Sequence, residues 1–256
     1  MKHLEPGSPR AFSFGPAAER YDQLRPSYPE AALRWAVGDR PGLRVVDLGA
    51  GTGIVTRSLL GLGHEVVPVE PDPAMRERLA ATAPEVYPLA GFAEQIPLPD
   101  TSVDAVVAGQ AYHWFDRDPA HAEVARVLRP GGTFAAIWNI RDESVSWVAE
   151  LSTITDDDTA GRGLREPTPA VESFGPAFGP VARATFGHTT EHTPDTLVGL
   201  IATRSYYLTA TPARQRELER RVRELCARHP DLAGRDRFPL PYRTEVYRAE
   251  AVRGAG

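Results

Sequence analysis

Residues Val45–Gly53 read Val-Val-Asp-Leu-Gly-Ala-Gly-Thr-Gly, and few folds accommodate such a run. Two β-branched residues enter a strand, an acid follows, and then glycines stand at every second position: Gly49, Gly51 and Gly53. Helix-compatible sequence resumes at Ile54. Glycine takes left-handed backbone at no steric cost and leaves no Cβ in the way of a ligand. Free amides at the start of the next helix favour a negatively charged or polar group. The run therefore predicts a strand–turn–helix unit with a nucleotide-type cofactor at its turn.

The patterns that follow alternate between strand and helix, which predicts an α/β fold with a mostly parallel sheet. Strands are expected at Arg44–Leu48, Glu65–Glu70, Val86–Ala90, Val103–Ala108 and Thr133–Trp138. Helices are expected over Ile54–Leu60, Ala74–Ala81 and Pro119–Leu128, the last stopped by Arg129-Pro130-Gly131-Gly132. Beyond Asn139 the alternation breaks. Asp142–Thr159 reads as helix, Gly161–Pro180 as loop, Val181–Thr190 as a sixth strand, Pro194–Tyr206 and Ala213–Arg228 as helices, and Pro239–Arg248 as a seventh strand. Four segments within one structural domain are expected: a cap over 1–40, a cofactor-binding core over 41–139, substrate-side additions over 140–238, and a last strand with its tail over 239–256.

Three cofactor chemistries compete for the glycine turn. A P-loop needs Lys and then Ser or Thr after its last glycine, and Ile54 and Val55 stand there. A dinucleotide fingerprint counted from Gly49 needs Gly or Ala at position 54, where Ile54 stands. S-adenosylmethionine (SAM) has no phosphate, and its tail carries a carboxylate and an ammonium. A glycine loop can take the first and Asp47 the second. Beside a pyrophosphate Asp47 would be a liability, because like charges repel strongly in a low-dielectric cleft. The E/D-x-G-x-G-x-G form of this run resembles the first motif of the class I SAM-dependent methyltransferases. Glu70 ends the next strand, about 20 residues past the glycine loop, where an acid can accept both ribose hydroxyls. Asp72 is a rival acid, but Pro71-Asp72-Pro73 reads as a helix entry with Asp72 as N-cap. The resemblance implies a Rossmann-like seven-stranded, mostly parallel sheet with helices on both faces, an antiparallel last strand and an N-terminal helical cap. The cofactor set it implies here begins with Asp47, Gly49, Ala50, Gly51, Gly53, Glu70 and Pro71.

Further segments extend the resemblance. Gly91-Phe92-Ala93-Glu94 resembles the adenine-binding stretch of the family, with Phe92 where an acid is common. Phe92 either stacks on the base or belongs to the core, and Ala93 is expected to offer a backbone amide. Gly109-Gln110-Ala111-Tyr112-His113-Trp114-Phe115 resembles a small-molecule branch that includes the trans-aconitate methyltransferases. The resemblance puts Gln110 near the cofactor and makes His113 a candidate base or substrate-positioning residue. Tyr21-x-x-x-Arg25-Pro26-x-Tyr28-Pro29 resembles the cap of that branch. If helical, Tyr21 and Arg25 share a face, and Arg25 can reach the cofactor carboxylate. Phe14, Tyr28, Trp114, Trp138, Arg204 and Tyr206 are the candidate substrate contacts, with a packing role open for the aromatics and a solvated one for Arg204.

Composition narrows the classes. The 256 residues can bury a sizeable core. A net charge of −5, with acids and bases interspersed, gives no footprint for nucleic acid. The abundance of Ala, Gly, Pro and Arg suggests a GC-rich, bacterial genome. Cys226 is the single cysteine, so no internal disulfide forms. No metal-ligand cluster, membrane span or signal peptide is evident, so no metal, no membrane and a cytoplasmic site are expected. His188 and His192 are read as surface residues, and a monomer or homodimer is expected. The implied reaction is methyl transfer from SAM, yielding S-adenosylhomocysteine, to a carboxylate or hydroxyl oxygen of a small molecule. Two other uses of the same cofactor site stay open: a non-methylating cyclisation or rearrangement, and a regulatory partner protein.

Overall fold

A computed structural model describes residues 18–156 and 171–252. Six strands form one sheet in the order β2-β1-β3-β4-β6-β5. They are β1 (Arg44–Leu48), β2 (Glu65–Val69), β3 (Val103–Gly109), β4 (Leu128–Arg141), β5 (Ala182–His192) and β6 (Phe238–Glu250). The first four pair in parallel, and β6 runs antiparallel to both β4 and β5. The helices are α1 (Ala18–Leu24), α2 (Glu30–Val37), α3 (Ile54–Gly61), α4 (Pro73–Thr82), α5 (Arg117–Val127), α6 (Ser146–Asp156), α7 (Pro194–Ala202), α8 (Ser205–Leu208) and α9 (Pro212–Arg228). None of the described helices is long and apolar enough to cross a membrane.

The α/β architecture and antiparallel last strand are as expected, but the strand expected at Val86–Ala90 is not formed. There the chain makes one parallel bridge, Leu89 opposite Val69. Leu89 donates to the Pro68 carbonyl at 2.9 Å and accepts from the Glu70 amide at 3.0 Å. Pro88 has no N–H to extend the ladder, and Tyr87 beside it is 82 % exposed. The sheet therefore has six strands rather than seven. β4 is longer than expected because Arg129–Gly132 bulges out of the β3 register, Val103 facing Leu128 and Ala105 facing Thr133. Helix α7 stops early: the Thr203 hydroxyl donates back to the Leu200 carbonyl at 2.7 Å, and the chain turns before α8. Of the helix expected over Asp142–Thr159, the described part is Ser146–Asp156.

Strand side chains alternate between faces, and the two faces have separate cores. Val45, Ala105, Val107, Ala135 and Ile137 face α2 and α3. Val46, Leu48, Val106, Phe134, Ala136 and Trp138 face α5 and the Val171–Val181 segment. Asp47 shares the face of Val45, so it projects toward the side that α2 and α3 cover. A third cluster joins α6, α7 and α9 to the first half of β6 through Phe238, Leu240 and Tyr242. His121 is in the second of these cores, where the Tyr112 hydroxyl meets its Nε2 at 2.9 Å. Burial holds this imidazole below its ordinary value, so it stays neutral near pH 7.

Phe174 is fully buried, with its ring centroid 4.4 Å from that of Phe134 and 5.5 Å from that of Tyr112. Phe174→Ala is expected to cost about 3–5 kcal/mol of stability. Chemical denaturation checks this, and a loss within about 0.5 kcal/mol would mean the segment does not seal this core.

Candidate active site

The site is built where β1 and β2 end. Gly49, Gly51 and Gly53 have φ of +73°, +55° and +86°. A Cβ on Gly49 would stand 2.6 Å from the Ala111 Cβ, and one on Gly53 2.8 Å from the Leu79 Cγ. Around Gly51 a Cβ would meet nothing within 4 Å. Two of these glycines thus seat the loop against its neighbours, and the third leaves space open. The loop amides are not free, as the sequence alone suggested. Gly49 and Ala50 donate to the Val69 carbonyl, Gly53 to the Ala50 carbonyl, and Gly51 to Glu70 Oε2 at 2.9 Å. Val69, the Glu70 side chain and a turn within the loop consume them, so these four residues contribute shape rather than donors.

Asp47 is buried and accepts the Thr56 hydroxyl at 2.6 Å. Burial pushes its carboxyl up to about 7, against the Thr56 hydrogen bonds, and the Glu70 charge adds to the rise. Glu70 is also buried. Its second oxygen accepts the Asp72 amide at 2.9 Å. Burial raises this carboxyl as well, opposed by the two amides. Asp72 caps α4 as expected, accepting from Ala74 at 2.8 Å, with Pro73 at the first helical position. Arg76 grips the Glu70 and Pro71 carbonyls at 2.8 and 2.6 Å and fixes Pro71 at the turn.

The opposite wall comes from β3, β4 and the cap. Gln110 follows β3 with φ +56°, uncommon for a residue with a side chain. Its Nε2 donates to the Asn139 carbonyl at 3.2 Å, and its Oε1 is buried without a hydrogen-bond partner. The Asn139 amide group donates to the Pro26 and Ser27 carbonyls at 3.4 and 3.1 Å, while its oxygen accepts from Thr244 at 2.6 Å. On the cofactor side Asp22 of α1 meets Arg57 at 2.6 Å and Arg78 at 3.6 Å. Arg57 also donates to the Thr52 carbonyl in the glycine loop at 2.8 Å. Together these walls enclose a cleft of about 450 Å³, counted out to its open mouth.

The structure brings Tyr21, Arg25, Tyr28, Asp47, Gly49, Ala50, Gly51 and Gln110 to that cleft. Gly53 lies behind it as the N-cap of α3, and Glu70 touches it through Gly51. Arg25 stacks on the Tyr21 ring at 4.6 Å, as the shared helical face predicted, and donates to the Thr203 hydroxyl and carbonyl at 3.1 and 3.3 Å. Tyr28 is buried beneath the cap, beside Gly109. His113 and Trp114 stand exposed on the turn after β3, 4.8 Å apart between ring centroids, and do not line the cleft. Phe92 is exposed, whereas Ala93 is core, and neither lines the cleft. Trp138 is corrected from a substrate contact to a core residue: the pleat turns it to the face opposite Asn139, against Tyr112 and Tyr247. Arg204 is buried rather than solvated, and Tyr206 is half-buried against the cluster of α6, α7 and α9. Phe14 lies outside the described residues. His192 is buried rather than exposed.

Sequence reasoning missed Asn139, Thr56, Arg57 and Asp22. Asn139 alone carried a signal, as a polar residue ending an otherwise apolar strand. The donor set fits SAM in charge. Arg57 offsets the rise of the buried Asp47 carboxyl only in part, leaving it at about 7, so an ammonium fits beside it, and the Gln110 oxygen and Thr52 hydroxyl, buried without hydrogen-bond partners, suit polar ligand groups. Asn139→Leu removes the shorter of the Thr244 hydroxyl's two hydrogen bonds, leaving the one to His188 Nδ1, and frees the cap. A loss of about 1–3 kcal/mol is expected, together with faster hydrogen exchange across α1. Unchanged exchange there would mean the cap is held by other contacts.

Comparison with known proteins gives the same assignment. Residues 46–136 match the methyltransferase domain family. An uncharacterized methyltransferase of Mycobacterium bovis is 44 % identical over 239 residues, covering 93 % of this chain and 96 % of its own. An uncharacterized methyltransferase-like protein of Schizosaccharomyces pombe is 30 % identical over 90 % of this chain and 92 % of its own. Among solved structures, a candidate type II methyltransferase from Anaeromyxobacter dehalogenans superposes with a TM-score of 0.58 at 25 % identity, covering 89 % of this chain and 97 % of its own. The acid, the glycine turn, the sheet order and these relatives agree, and the chain belongs to the class I SAM-dependent methyltransferases.

Proposed function

We propose that the chain methylates a carboxylate or hydroxyl oxygen of a small-molecule acceptor. The observation that carries this is the roofed cleft. The cap from Tyr21 to Tyr28 is tied down on one side by Asp22–Arg57 and on the other by Asn139, so a folded macromolecule has no flat surface to present to it. The negative net charge agrees, since it gives no electrostatic attraction for nucleic acid.

When bound, SAM supplies an electrophilic methyl carbon on a sulfonium sulfur. The protein's part is to hold, align and dry. Asp47 meets the ammonium, and Glu70 keeps lone pairs for the ribose hydroxyls beyond those facing Gly51 and Asp72. Arg25 is the cation among the described cleft-lining residues and meets the cofactor carboxylate. Alignment of nucleophile, methyl and sulfur supplies on the order of 7–11 kcal/mol in favourable cases. A carboxylate is ionised at neutral pH and needs no base. This suits a cleft whose described lining holds no histidine. A hydroxyl acceptor would draw on a base, worth roughly 10²–10⁴-fold, and His113 on the turn after β3 is the candidate for it.

Incubation with methyl-deuterated SAM and mixed carboxylic acids and phenols, read by mass spectrometry, tests the acceptor class. A labelled, base-labile product is expected from a carboxylate, and a base-stable phenol ether from a hydroxyl. Label found only on protein or nucleic acid would overturn the small-molecule reading.

Asp47→Asn and Glu70→Gln are each expected to weaken SAM binding at least about tenfold, or 1.4 kcal/mol. An ammonium beside Asp47 lowers its carboxyl from about 7. Binding at pH 6.5 is therefore expected to release protons in wild type and not in Asp47→Asn, measured by calorimetry in buffers of different ionisation enthalpy. The unliganded protein has the opposite sign. The folded carboxyl is raised above its ordinary 3.8, so the stability its protonated form contributes is full below that value and lost as pH rises through about 7. Asp47→Asn should therefore melt higher than wild type at pH 8 and not at pH 4. Equal melting shifts at both pH values would contradict this.

A further inference from the structure

We propose that β5 is the interface of a homodimer. Its outer edge pairs antiparallel with the same edge of a second copy, about a two-fold axis at Gly187.

The sheet ends on β5, whose one sheet neighbour among the described residues is β6. The two edges of the sheet differ. At the other end, β2 spans only five residues, holds Pro68, and is covered by the bridge from Leu89 to Val69. Short length, proline and a covering segment stop an edge from pairing with another chain. None of these blunts β5 among the described residues. It runs for eleven residues in unbroken register with β6, without proline, and Arg183 and Glu191 are its only acidic or basic side chains apart from histidine.

The direction of the backbone groups on β5 follows from β6. Ala251 donates to the Gly132 carbonyl on the β4 side, whereas the Glu250 carbonyl accepts from Gly179 on the β5 side. Odd-numbered residues of β6 therefore bond toward β4 and even-numbered ones toward β5. The register sets Ala184 opposite Val246 and Phe186 opposite Thr244, so the even-numbered residues of β5 are spent on β6. Arg183, Thr185, Gly187, Thr189 and Glu191 turn their N–H and C=O groups the other way, and all five are exposed.

This edge is complementary to itself. Gly187 is the midpoint of Ala182–His192. A two-fold axis there sets Arg183 opposite Glu191 of the second copy, Thr185 opposite Thr189, and Gly187 opposite itself. Opposite charges and threonine pairs are favourable cross-strand neighbours. The outward residues meet only outward residues, so they exchange about ten N–H···O=C bonds. Arg183 gives Nε and Nη2 to Glu245, which leaves Nη1 for the carboxylate across the axis. Glycine inside a strand marks a bulge or the close approach of another backbone. The register has no bulge at Gly187, and a Cβ there would meet nothing within 4 Å in the single chain. An isologous pair consumes both edges, so assembly closes at two copies. One strand edge falls short of the roughly 1,200–2,000 Å² of a standard interface, which sets dimerisation at about micromolar concentration or above.

Sedimentation velocity on the full chain, from about 1 to 500 μM, tests this. Monomer is expected at the low end, dimer at the high end, and nothing larger. Glu191→Lys places like charges opposite Arg183 twice by symmetry and should weaken the dimer about tenfold. Thr189→Pro removes an outward N–H that β6 does not use and should abolish the dimer, with circular dichroism of the dilute chain checking that it folds. In wild type, the amides of Thr185, Gly187 and Thr189 should exchange with deuterium more slowly at the high concentration, read by NMR, and those of Ala184 and Phe186 at the same rate. Monomer throughout, assembly beyond two copies, a dimer indifferent to Glu191→Lys, or no added protection at those three outward amides would each overturn the interface. If Thr189→Pro does not fold, Glu191→Lys and the exchange pattern decide.

Discussion

The carboxylate of Glu70 holds the site together. One oxygen takes the Gly51 amide of the loop after β1, and the other takes the Asp72 amide at the entry to α4. A single buried acid thus fixes the end of β2 to the turns on either side of it. Its burial has an energetic cost, visible as the upward push on its carboxyl, and two amides offset part of that cost. Without this tie the glycine loop could not keep three left-handed residues in register with Val69, because glycine has more backbone freedom to lose than any other residue.

The rest of the site hangs from that frame. Gly53 starts α3 in the left-handed region, which places Thr56 one turn on, where its hydroxyl meets Asp47. Arg57 on the same helix joins the loop carbonyl of Thr52 to Asp22 in the cap. Asn139 does the corresponding job from the other side, with every polar atom of its side chain engaged between the cap and β6. The cap is therefore anchored by the Asp22–Arg57 ion pair, with Arg78 as a second cation on Asp22, by the Arg25–Thr203 hydrogen bonds and by one buried amide. Exposed ion pairs contribute little, but Asp22 is only 10 % exposed in its side chain, so solvent screens this pair less than a surface one.

The first half of the fold was legible because its signals are local. The strand at Arg44–Leu48, the turn at Gly49–Gly53 and the Asp72–Pro73 helix entry each follow from neighbouring residues, and the structure has all three. Where the local pattern misled, a non-local fact intervened. Val86–Ala90 is apolar enough for a strand, yet an edge position with Pro88 leaves it a single bridge. Trp138, a candidate substrate contact at the end of an expected strand, is turned into the core by the pleat of β4, which gives the cleft to Asn139 instead.

The amino-acid sequence by itself determined the cofactor chemistry, because an acid, three glycines and a second acid stand within 24 residues along the chain, and their spacing is a covalent matter. The tertiary structure alone decided which groups share the cleft. Arg25, Gln110 and Asn139 are separated by up to 114 positions, and only the packing of the cap beside β3 and β4 makes them neighbours. It also decided that the loop amides are spent on Val69 and Glu70. A hydrogen bond between chain segments is fixed by where the sheet brings them, and no spacing along the chain records that.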